Sequence, residues 1–283
     1  MKIRAISDVV SDLGEGPIWS PQSNRVTWTD LTQNIIHTAD IDTGVTLSFK
    51  SPSMVGAIAH TRNGDFVAAT QEGFAHIGSD GKFSKLHTFL EDDMRMNDGK
   101  VDPFGRFWAG SLALTLETGR GSLYILDKDG SYQTVLNNLT LSNGMGWSPD
   151  SQFFYYIDSI PGVLKRFDYE SVQGGISNSI DLITFDVTKG IPDGMTVCSD
   201  GKIIVALWDG SRVEIYEPTG TKISQIPLDV SRPTSCTFGG PNQNILIVTS
   251  ASQGIEISSE PLAGKILAIT GTGLTGLESH QYG

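Results

Sequence analysis

One pattern of polar and apolar positions occurs four times along the chain. Each copy has an oxygen-bearing side chain, a short apolar strand, a turn and a second apolar strand. In every copy the turn residue lies six positions after the polar one, and the four pairs are Glu15 with Pro21, Asn97 with Pro103, Asn143 with Pro149, and Asp193 with Ser199. This equal spacing makes the four polar residues equivalents in an internal repeat.

Two weaker copies complete the series. Val55 precedes an apolar strand that ends before a turn at Asn63-Gly64, and Thr234 precedes one that ends before Gly240-Pro241-Asn242. Successive copies therefore start 40, 42, 46, 50 and 41 residues apart. A period of about 40 to 50 residues with several strands per unit is typical of a β-propeller, so the pattern predicts six blades.

Further strands are predicted inside the repeats from alternating apolar positions and the Asp/Gly turns that follow them. Third strands are predicted at 35–39, 122–126, 164–167, 212–216 and 265–269. Fourth strands are predicted at 45–49, 132–136 and 222–226. The sixth repeat lacks a fourth strand, while the N-terminal Lys2–Ile6 has no repeat of its own. We therefore expect Lys2–Ile6 to close the ring as the outermost strand of the last blade, which also protects a sheet edge.

No amphipathic helix and no interdomain linker interrupts this pattern. The 283 residues include 39% hydrophobic residues, 32 glycines and 12 prolines, which suits many short strands joined by turns. The sequence thus predicts an all-β fold with one domain over residues 1–283, a six-bladed β-propeller whose ring is closed by the N-terminal strand.

Charge and hydropathy exclude several classes of partner. The formal net charge is −12 and no cluster of Lys or Arg is present, so nucleic acid is not an expected partner. No apolar stretch approaches the length of a membrane span, and the N-terminus lacks the apolar core of a signal peptide. We expect a cytoplasmic protein that does not bind membranes, and its oligomeric state stays open.

Cysteines and histidines give little indication of a site. Cys198 and Cys236 are too few for a disulfide framework and fall in predicted inner strands, where small buried apolar side chains are common. They lie on neighbouring repeats, so a bridge between them stays open. The five histidines are scattered without the spacing of zinc ligands.

The first strand of each blade lines the channel of a propeller, so equivalent residues form a ring around its axis. That ring consists of Glu15, Val55, Asn97, Asn143, Asp193 and Thr234. Two carboxylates and two carboxamides at one height are hard oxygen donors, which suit a divalent cation such as calcium, magnesium or manganese. Asn-Gly and Asp-Gly are also ordinary turn signals, but the turns here are already accounted for six positions later.

Four motifs resemble one known family, the regucalcin-like or senescence marker protein/gluconolactonase family. The motifs are Gly14–Trp19 (GEGPIW), Arg95–Pro103 (RMNDGKVDP), Ser142–Trp147 (SNGMGW) and Pro192–Met195 (PDGM). They follow the family's order and spacing over about residues 13 to 270. The resemblance is specific for the family and less so for a substrate.

The resemblance implies a six-bladed propeller that hydrolyses sugar lactones with metal-activated water in its central channel. Glu15, Asn143 and Asp193 match the ligands of one divalent cation, for which Ca, Zn, Mn, Mg and Fe(II) stay open. Asp193 also matches the general base. Arg95 matches a residue that holds the hydroxyl groups of the substrate, and Asn97 matches one that contacts the substrate or metal-bound water. No Ser-His-Asp order or Gly-x-Ser-x-Gly motif appears, which argues against covalent serine hydrolysis.

The chain departs from the family pattern at one expected substrate contact. Some members have an acidic residue in the loop after the second strand of the third repeat, where this chain has Thr115 and, two residues later, Glu117. Two other functions therefore stay open: hydrolysis of another cyclic ester or an organophosphate, and a non-catalytic calcium-binding or scaffold propeller.

The neighbours of Asn97 allow simpler structural roles. Arg95 follows the acidic run Glu91–Asp93 and could pair with it instead of contacting a substrate. Asp98 and Lys100 are interpreted as structural residues of the turn that follows.

Overall fold

The computed structural model describes residues 1–283 and consists of six four-stranded antiparallel sheets, arranged as a six-bladed β-propeller. Blade 1 comprises β2 (Gly14–Ser20), β3 (Arg25–Asp30), β4 (Ile35–Asp40) and β5 (Thr46–Lys50). Blade 2 comprises β6 (Val55–His60), β7 (Phe66–Thr70), β8 (Gly73–Ile77) and β9 (Phe83–Thr88). Blade 3 comprises β10 (Met94–Val101), β11 (Phe107–Ala113), β12 (Gly121–Leu126) and β13 (Tyr132–Leu139).

The other three blades follow the same plan. Blade 4 comprises β14 (Ser142–Trp147), β15 (Phe153–Asp158), β16 (Val163–Glu170) and β17 (Gly175–Thr184). Blade 5 comprises β18 (Ile191–Val197), β19 (Ile203–Trp208), β20 (Arg212–Tyr216) and β21 (Lys222–Pro227). Blade 6 comprises β22 (Pro233–Gly239), β23 (Ile245–Ser250), β24 (Leu267–Thr270) and the N-terminal β1 (Lys2–Ala5).

The N-terminal strand closes the ring, as the sequence predicts. Strand β1 pairs antiparallel with β24, with Ile3 opposite Ile269. The amide of Ile6 extends this pairing by donating to the carbonyl oxygen of Ile266 (2.9 Å). The sixth blade therefore joins the two ends of the chain, and β24 has no free edge.

The observed strands agree with the predicted ones in type and order. The third strand of blade 6 begins at Leu267, two residues later than predicted. The sequence pattern does not predict the third strand of blade 2 or the fourth strands of blades 2 and 4. The one helical element is a short 3-10 turn at Val187–Lys189, and no helix is long and apolar enough to cross a membrane.

The first strand of each blade is its inner strand, and each inner strand contacts those of the two neighbouring blades. Every inner strand also carries a register shift against its partner near its start. In blade 4 the shift lies between Ser142, opposite Asp158, and Met145, opposite Tyr156, so Asn143 and Gly144 face a single partner residue. Such a bulge breaks the side-chain alternation of a regular strand and re-aims side chains at the channel.

Apolar side chains pack between neighbouring blades. Trp108 of blade 3 packs against Trp147 and Phe154 of blade 4, with ring centroids 5.6 and 4.8 Å apart. Cys198 and Cys236 belong to the apolar cluster between blades 5 and 6. Both thiols are free and buried, so they pack there as small apolar side chains and form no disulfide bridge.

Candidate metal and substrate site

Hydrogen bonds between blades hold the starts of the inner strands at one height. Asn97 Nδ2 donates to the carbonyl oxygen of Ser142 (2.8 Å), which joins blade 3 to blade 4. Thr234 Oγ1 donates to the carbonyl oxygen of Gly14 (2.5 Å), which joins blade 6 to blade 1. These bonds bring Asn97 beside the residue that precedes Asn143, and Thr234 beside the residue that precedes Glu15.

Glu15, Asn143 and Asp193 lie almost completely buried at this level, with exposed fractions of 7%, 4% and 6%. Two aspartates hold the segments that lead into the first two of these residues. The Asp30 carboxylate accepts from the amides of Asp12 (3.0 Å) and Leu13 (3.1 Å). Asp158 likewise accepts from the amides of Thr140 (3.0 Å) and Leu141 (2.9 Å).

The two acidic residues of the ring repel each other. Burial raises the pKa of the Glu15 carboxyl well above its ordinary value, and the charges of Asp193 and Asp98 raise it further. Burial and the Asp98 charge raise the pKa of the Asp193 carboxyl in the same way. The Gly16 amide donates to Glu15 Oε2 (3.3 Å) and Arg95 adds an opposite charge, but neither offsets the burial. Buried like charges of this kind are stabilised by a bound cation.

The Asn143 amide has one atom without a protein partner. Its Nδ2 donates to Ser159 Oγ (3.0 Å), while its Oδ1 is buried and accepts no hydrogen bond. The Asn143 side chain also lies beside Asp193, since it lowers the pKa of that carboxyl. A buried oxygen without a donor is costly, and a hard cation satisfies it.

The donor set of Glu15, Asn143 and Asp193 therefore fits a divalent cation. It contains only oxygen atoms, two of its members carry a negative charge when ionised, and the third offers an orphaned carbonyl oxygen. No group of three His, Cys, Asp or Glu side chains offers another metal site. Val55 is apolar and Thr234 Oγ1 is used by Gly14 and by Thr249 Oγ1 (2.8 Å), so these two ring positions add no ligand.

Arg95 and Asn97 form a connected pair beside the carboxylates. Arg95 Nη1 donates to Asn97 Oδ1 (2.7 Å) and to the carbonyl oxygen of Met96 (3.0 Å). Burial lowers the pKa of Arg95 to about 10, and the charges of Glu15 and Asp193 act in the opposite direction. Arg95 is therefore a cation at neutral pH, close enough to both carboxylates to affect them.

The acidic run before Arg95 has a different partner. Arg120 pairs with Glu91 (2.6 Å) and Asp93 (2.5 Å) at the surface. Arg95 makes no ion pair with this run. The alternative in which Arg95 neutralises Glu91–Asp93 is wrong, because a cation from the following loop already does so.

Asp98 and Lys100 lie inside strand β10 and not in the turn, which corrects the interpretation from the sequence. Asp98 is buried, and its Oδ1 accepts from the Gly99 amide (2.7 Å). Its charge raises the pKa of both Glu15 and Asp193, so Asp98 belongs to the electrostatics of the site. The sequence did not predict this role, because in a regular strand the side chains of Asn97 and Asp98 would lie on opposite faces. A bulge at Asn97-Asp98 breaks that alternation.

Thr115 lies in the exposed loop that follows β11. Since Ala113 pairs with Met94, this loop is at the same end of blade 3 as Arg95. The Thr115 side chain makes no hydrogen bond and is flanked by Leu114 and Leu116, which are 45% and 44% exposed. The structure therefore brings Thr115 to the end of blade 3 where Arg95 lies, and the Thr115 side chain forms no hydrogen bond with a ring residue.

A cavity of about 590 Å³ occupies the channel on the other side of the ring. Asp98, Lys100 and Trp147 are among the residues that line it, together with the C-terminal segment Leu277–Gln281. This segment crosses the far mouth of the channel, because Gly276 donates to Gln243 O (2.7 Å) on blade 6 and Tyr282 donates to His60 O (2.8 Å) on blade 2.

Fold and site together define a β-propeller with a polar ring of oxygen donors in its channel. The SMP-30/Gluconolactonase/LRE-like profile matches residues 13–252, and the chain belongs to this family. Regucalcin of Gallus gallus is 34% identical over 100% of this chain and 98% of its own length. YvrE of Bacillus subtilis, named as a candidate sugar lactone lactonase, is 32% identical over 93% of this chain and 92% of its own. Among solved structures, a luciferin-regenerating enzyme has a TM-score of 0.93 and 27% identity, with 99% of each chain covered.

Proposed function

We propose that this protein is a divalent-metal-dependent lactonase that hydrolyses sugar lactones in the channel of the propeller. The observation that carries the proposal is the convergence of Glu15, Asn143 and Asp193, with carboxyl pKa values that burial and the Asp98 charge raise and an Asn143 Oδ1 that has no partner. Membership of a family that includes gluconolactonases by name, and similarity to YvrE, support this substrate class.

Glu15, Asn143 and Asp193 would hold the cation. Once bound, the cation would supply Lewis acidity, which polarises an ester carbonyl and makes water more acidic. Binding would also lower the pKa values of Glu15 and Asp193, because a nearby positive charge favours the ionised carboxylate. Asp193 would then be ionised at neutral pH, as a general base must be.

Asp193 would move the proton of the reaction. Its carboxylate would accept a proton from the attacking water and return it to the ring oxygen of the lactone as the ester bond breaks. Arg95 would orient the substrate, since a guanidinium presents paired donors to paired oxygens. Asn97 holds Arg95 through Oδ1 and blade 4 through Nδ2, so it would fix the direction of that guanidinium.

One observation favours a second substrate class, a cyclic ester with an apolar substituent. At the position where some family members have an acidic substrate contact, this chain has Thr115 between the exposed Leu114 and Leu116. An uncharged Thr115 between two exposed leucines suits a lactone with fewer hydroxyl groups than an aldonolactone.

The test is hydrolysis of δ-gluconolactone by metal-stripped protein resupplied with single cations, measured as proton release. We expect turnover to depend on the cation and to fall at least about 100-fold in Asp193→Ala, because both a ligand and the base are lost. Glu214→Gln is the matched control, since Glu214 is equally buried in blade 5 but pairs with Arg212 (2.7 Å) outside the channel.

The outcomes of this test distinguish hydrolysis of sugar lactones from the two alternative functions. Turnover of alkyl-substituted lactones in place of δ-gluconolactone would favour the second substrate class. Tight calcium binding without turnover of any lactone or ester would indicate a non-catalytic calcium-binding propeller. A protein that neither binds a cation nor hydrolyses a lactone would contradict the proposal.

A further inference from the structure

Ser159 connects two of the candidate metal ligands. It is the first residue after strand β15 and is 1% exposed. Its Oγ donates to the carbonyl oxygen of Pro192 (2.6 Å), the residue before Asp193. The same Oγ lies 3.0 Å from Nδ2 of Asn143. One hydroxyl group therefore joins the amide of Asn143 on blade 4 to the backbone that presents Asp193 on blade 5.

This arrangement determines which end of the Asn143 amide is free. A carbonyl oxygen can only accept, so the short contact between Ser159 Oγ and Pro192 O must contain the hydroxyl hydrogen. Ser159 Oγ then has only lone pairs left for Asn143, so the amide atom next to it must be the donor Nδ2. The orientation of the amide thus follows from the hydrogen-bond inventory alone, and it leaves Oδ1 for another partner.

Asn97 provides a contrast within the same ring. Its Oδ1 accepts from Arg95 (2.7 Å) and its Nδ2 donates to Ser142 O (2.8 Å), so protein groups use both ends of that amide. The Asn143 Nδ2 donates to Ser159 Oγ (3.0 Å) and the amide also lies beside the Asp193 carboxyl, but no protein group donates to its Oδ1. The two equivalent asparagines therefore differ because of what surrounds them, and only Asn143 has an oxygen free for a cation.

We propose that Ser159 is a positioning residue for cation binding. It presents Oδ1 of Asn143, and not the amide nitrogen, as the ligand atom, and it fixes the spacing of Asn143 and Asp193. Without the Ser159 hydroxyl the amide can rotate, and in half of its orientations an N–H group points toward the cation. This inference rests on the proposed cation site, but it concerns affinity for the cation and not catalysis.

The test is a calorimetric titration of metal-stripped protein with Ca²⁺ and with Mn²⁺. We expect Ser159→Ala to weaken binding of both ions by about 10- to 100-fold, the range seen when partners that orient metal ligands are removed. The matched control is Ser111→Ala, which removes an equally buried serine hydroxyl that bonds only within blade 3, to Ser122. Ser111→Ala should bind both ions as the parent does.

A second comparison separates positioning from a general loss of structure. In an Asn143→Asp background both side-chain oxygens can bind a cation, so orientation no longer matters. Adding Ser159→Ala there should change affinity by less than about 3-fold, if the two residues are coupled as proposed. An equal loss in both backgrounds would contradict the inference, as would unchanged affinity of the single Ser159→Ala variant. Absence of binding by the parent protein would instead reject the cation site itself and this inference with it.

Discussion

Lys100 Nζ donates a hydrogen bond to the carbonyl oxygen of Met195 across the channel (2.8 Å). Lys100 lies on inner strand β10 of blade 3 and Met195 on inner strand β18 of blade 5, with the inner strand of blade 4 between them. The contact thus joins two blades that are not neighbours. It also places a half-buried cation two residues from Asp193, where it interacts with the charge of Asp98.

We expect Lys100→Met to have opposite effects on stability and on cation binding. The substitution leaves Met195 O without its charged donor, which should lower the free energy of unfolding by about 2 kcal/mol. It also removes a positive charge near the ring, so affinity for a divalent cation should rise. Urea unfolding and calorimetric titration measure the two effects. Lys85→Met is the control, since Lys85 pairs with Glu72 at the surface (3.1 Å) and its loss should change neither quantity. A fall in both stability and cation affinity for Lys100→Met would contradict the electrostatic explanation.

Arg95 should be sensitive to the shape of its side chain as well as to its charge. Arg95→Lys retains the charge but loses the planar guanidinium, in which Nη1 bonds both Asn97 Oδ1 and Met96 O and the other nitrogens are left for a substrate. We expect kcat/KM for a lactone to fall by about 10- to 100-fold, which corresponds to one charged hydrogen bond. Arg120→Lys changes a surface arginine that pairs with Glu91 and Asp93, and it should keep the parent activity. If steady-state kinetics showed equal effects of both substitutions, Arg95 would have no specific role in binding the substrate.

The stability of the metal-free protein should decrease as pH rises above about 4. Glu15 and Asp193 have raised pKa values in the folded protein, against ordinary values of 4.5 and 3.8. Between its ordinary and its raised pKa such a group binds more protons in the folded state, so unfolding becomes easier as pH rises through that interval. Denaturant unfolding in a chelator, from pH 4 to pH 8, measures this slope, and Glu15→Gln should reduce it.

Glu214→Gln is the control for this slope. Burial tends to raise the pKa of Glu214, but hydrogen bonds from Lys222, Tyr216 and Arg212 outweigh burial and lower it. Its stabilising contribution is therefore lost as pH falls, which is the opposite sign. If Glu15→Gln and Glu214→Gln changed the slope in the same direction, the carboxylates of the ring would not be its source.

Asp98→Asn should move the acid limit of cation binding to lower pH. The Asp98 charge raises the pKa of Glu15 and of Asp193, and protons compete with a cation for these two carboxylates. Without that charge both groups remain ionised at lower pH. Titrations with Ca²⁺ at several pH values measure the midpoint, and an unchanged midpoint would show that Asp98 does not act on the ring.

Deletion of residues 1–6 should destabilise the protein and promote association between molecules. It removes strand β1, the Ile6 amide that bonds Ile266 O (2.9 Å), and the cover over the edge of β24. We expect a loss of about 3 kcal/mol from a few backbone hydrogen bonds and the buried Ile6 side chain, and a fall in Tm of about 5 °C. Thermal unfolding and light scattering measure these effects, and a monomeric deletion variant with the parent Tm would argue against closure by β1.

The repeat made the fold and the ring predictable. Polar residues spaced equally from their turns must lie at one height in a propeller, so Glu15, Asn143 and Asp193 could be grouped without any contact being known. Asp98 and Ser159 could not be found in this way. Asp98 contributes only because a bulge interrupts the alternation of strand β10. Ser159 is separated from Pro192 by more than thirty positions, and only the packing of two blades brings them together.

Thr115 shows another limit of prediction from the sequence. Counting along the motifs points to the loop after β11, but whether a loop side chain reaches the channel depends on backbone geometry that no periodicity encodes. The strand missed in blade 4, β17, has a similar cause. Gly175–Thr184 is mostly exposed and polar, so it has little of the apolar alternation from which strands are recognised.

The pairing of β1 with β24 also sets an order for protein synthesis. The ribosome makes Lys2–Ala5 more than 260 residues before Leu267–Thr270, so strand β1 must remain unpaired until strand β24 has been released. Blades 1 to 5 are each continuous in sequence and can form while translation proceeds. The sixth blade cannot, and a contact between strands so far apart in sequence is the slowest kind to form by diffusion of the chain. A truncated product of translation would therefore remain an open ring with an unpaired edge, which chaperones or proteases can recognise.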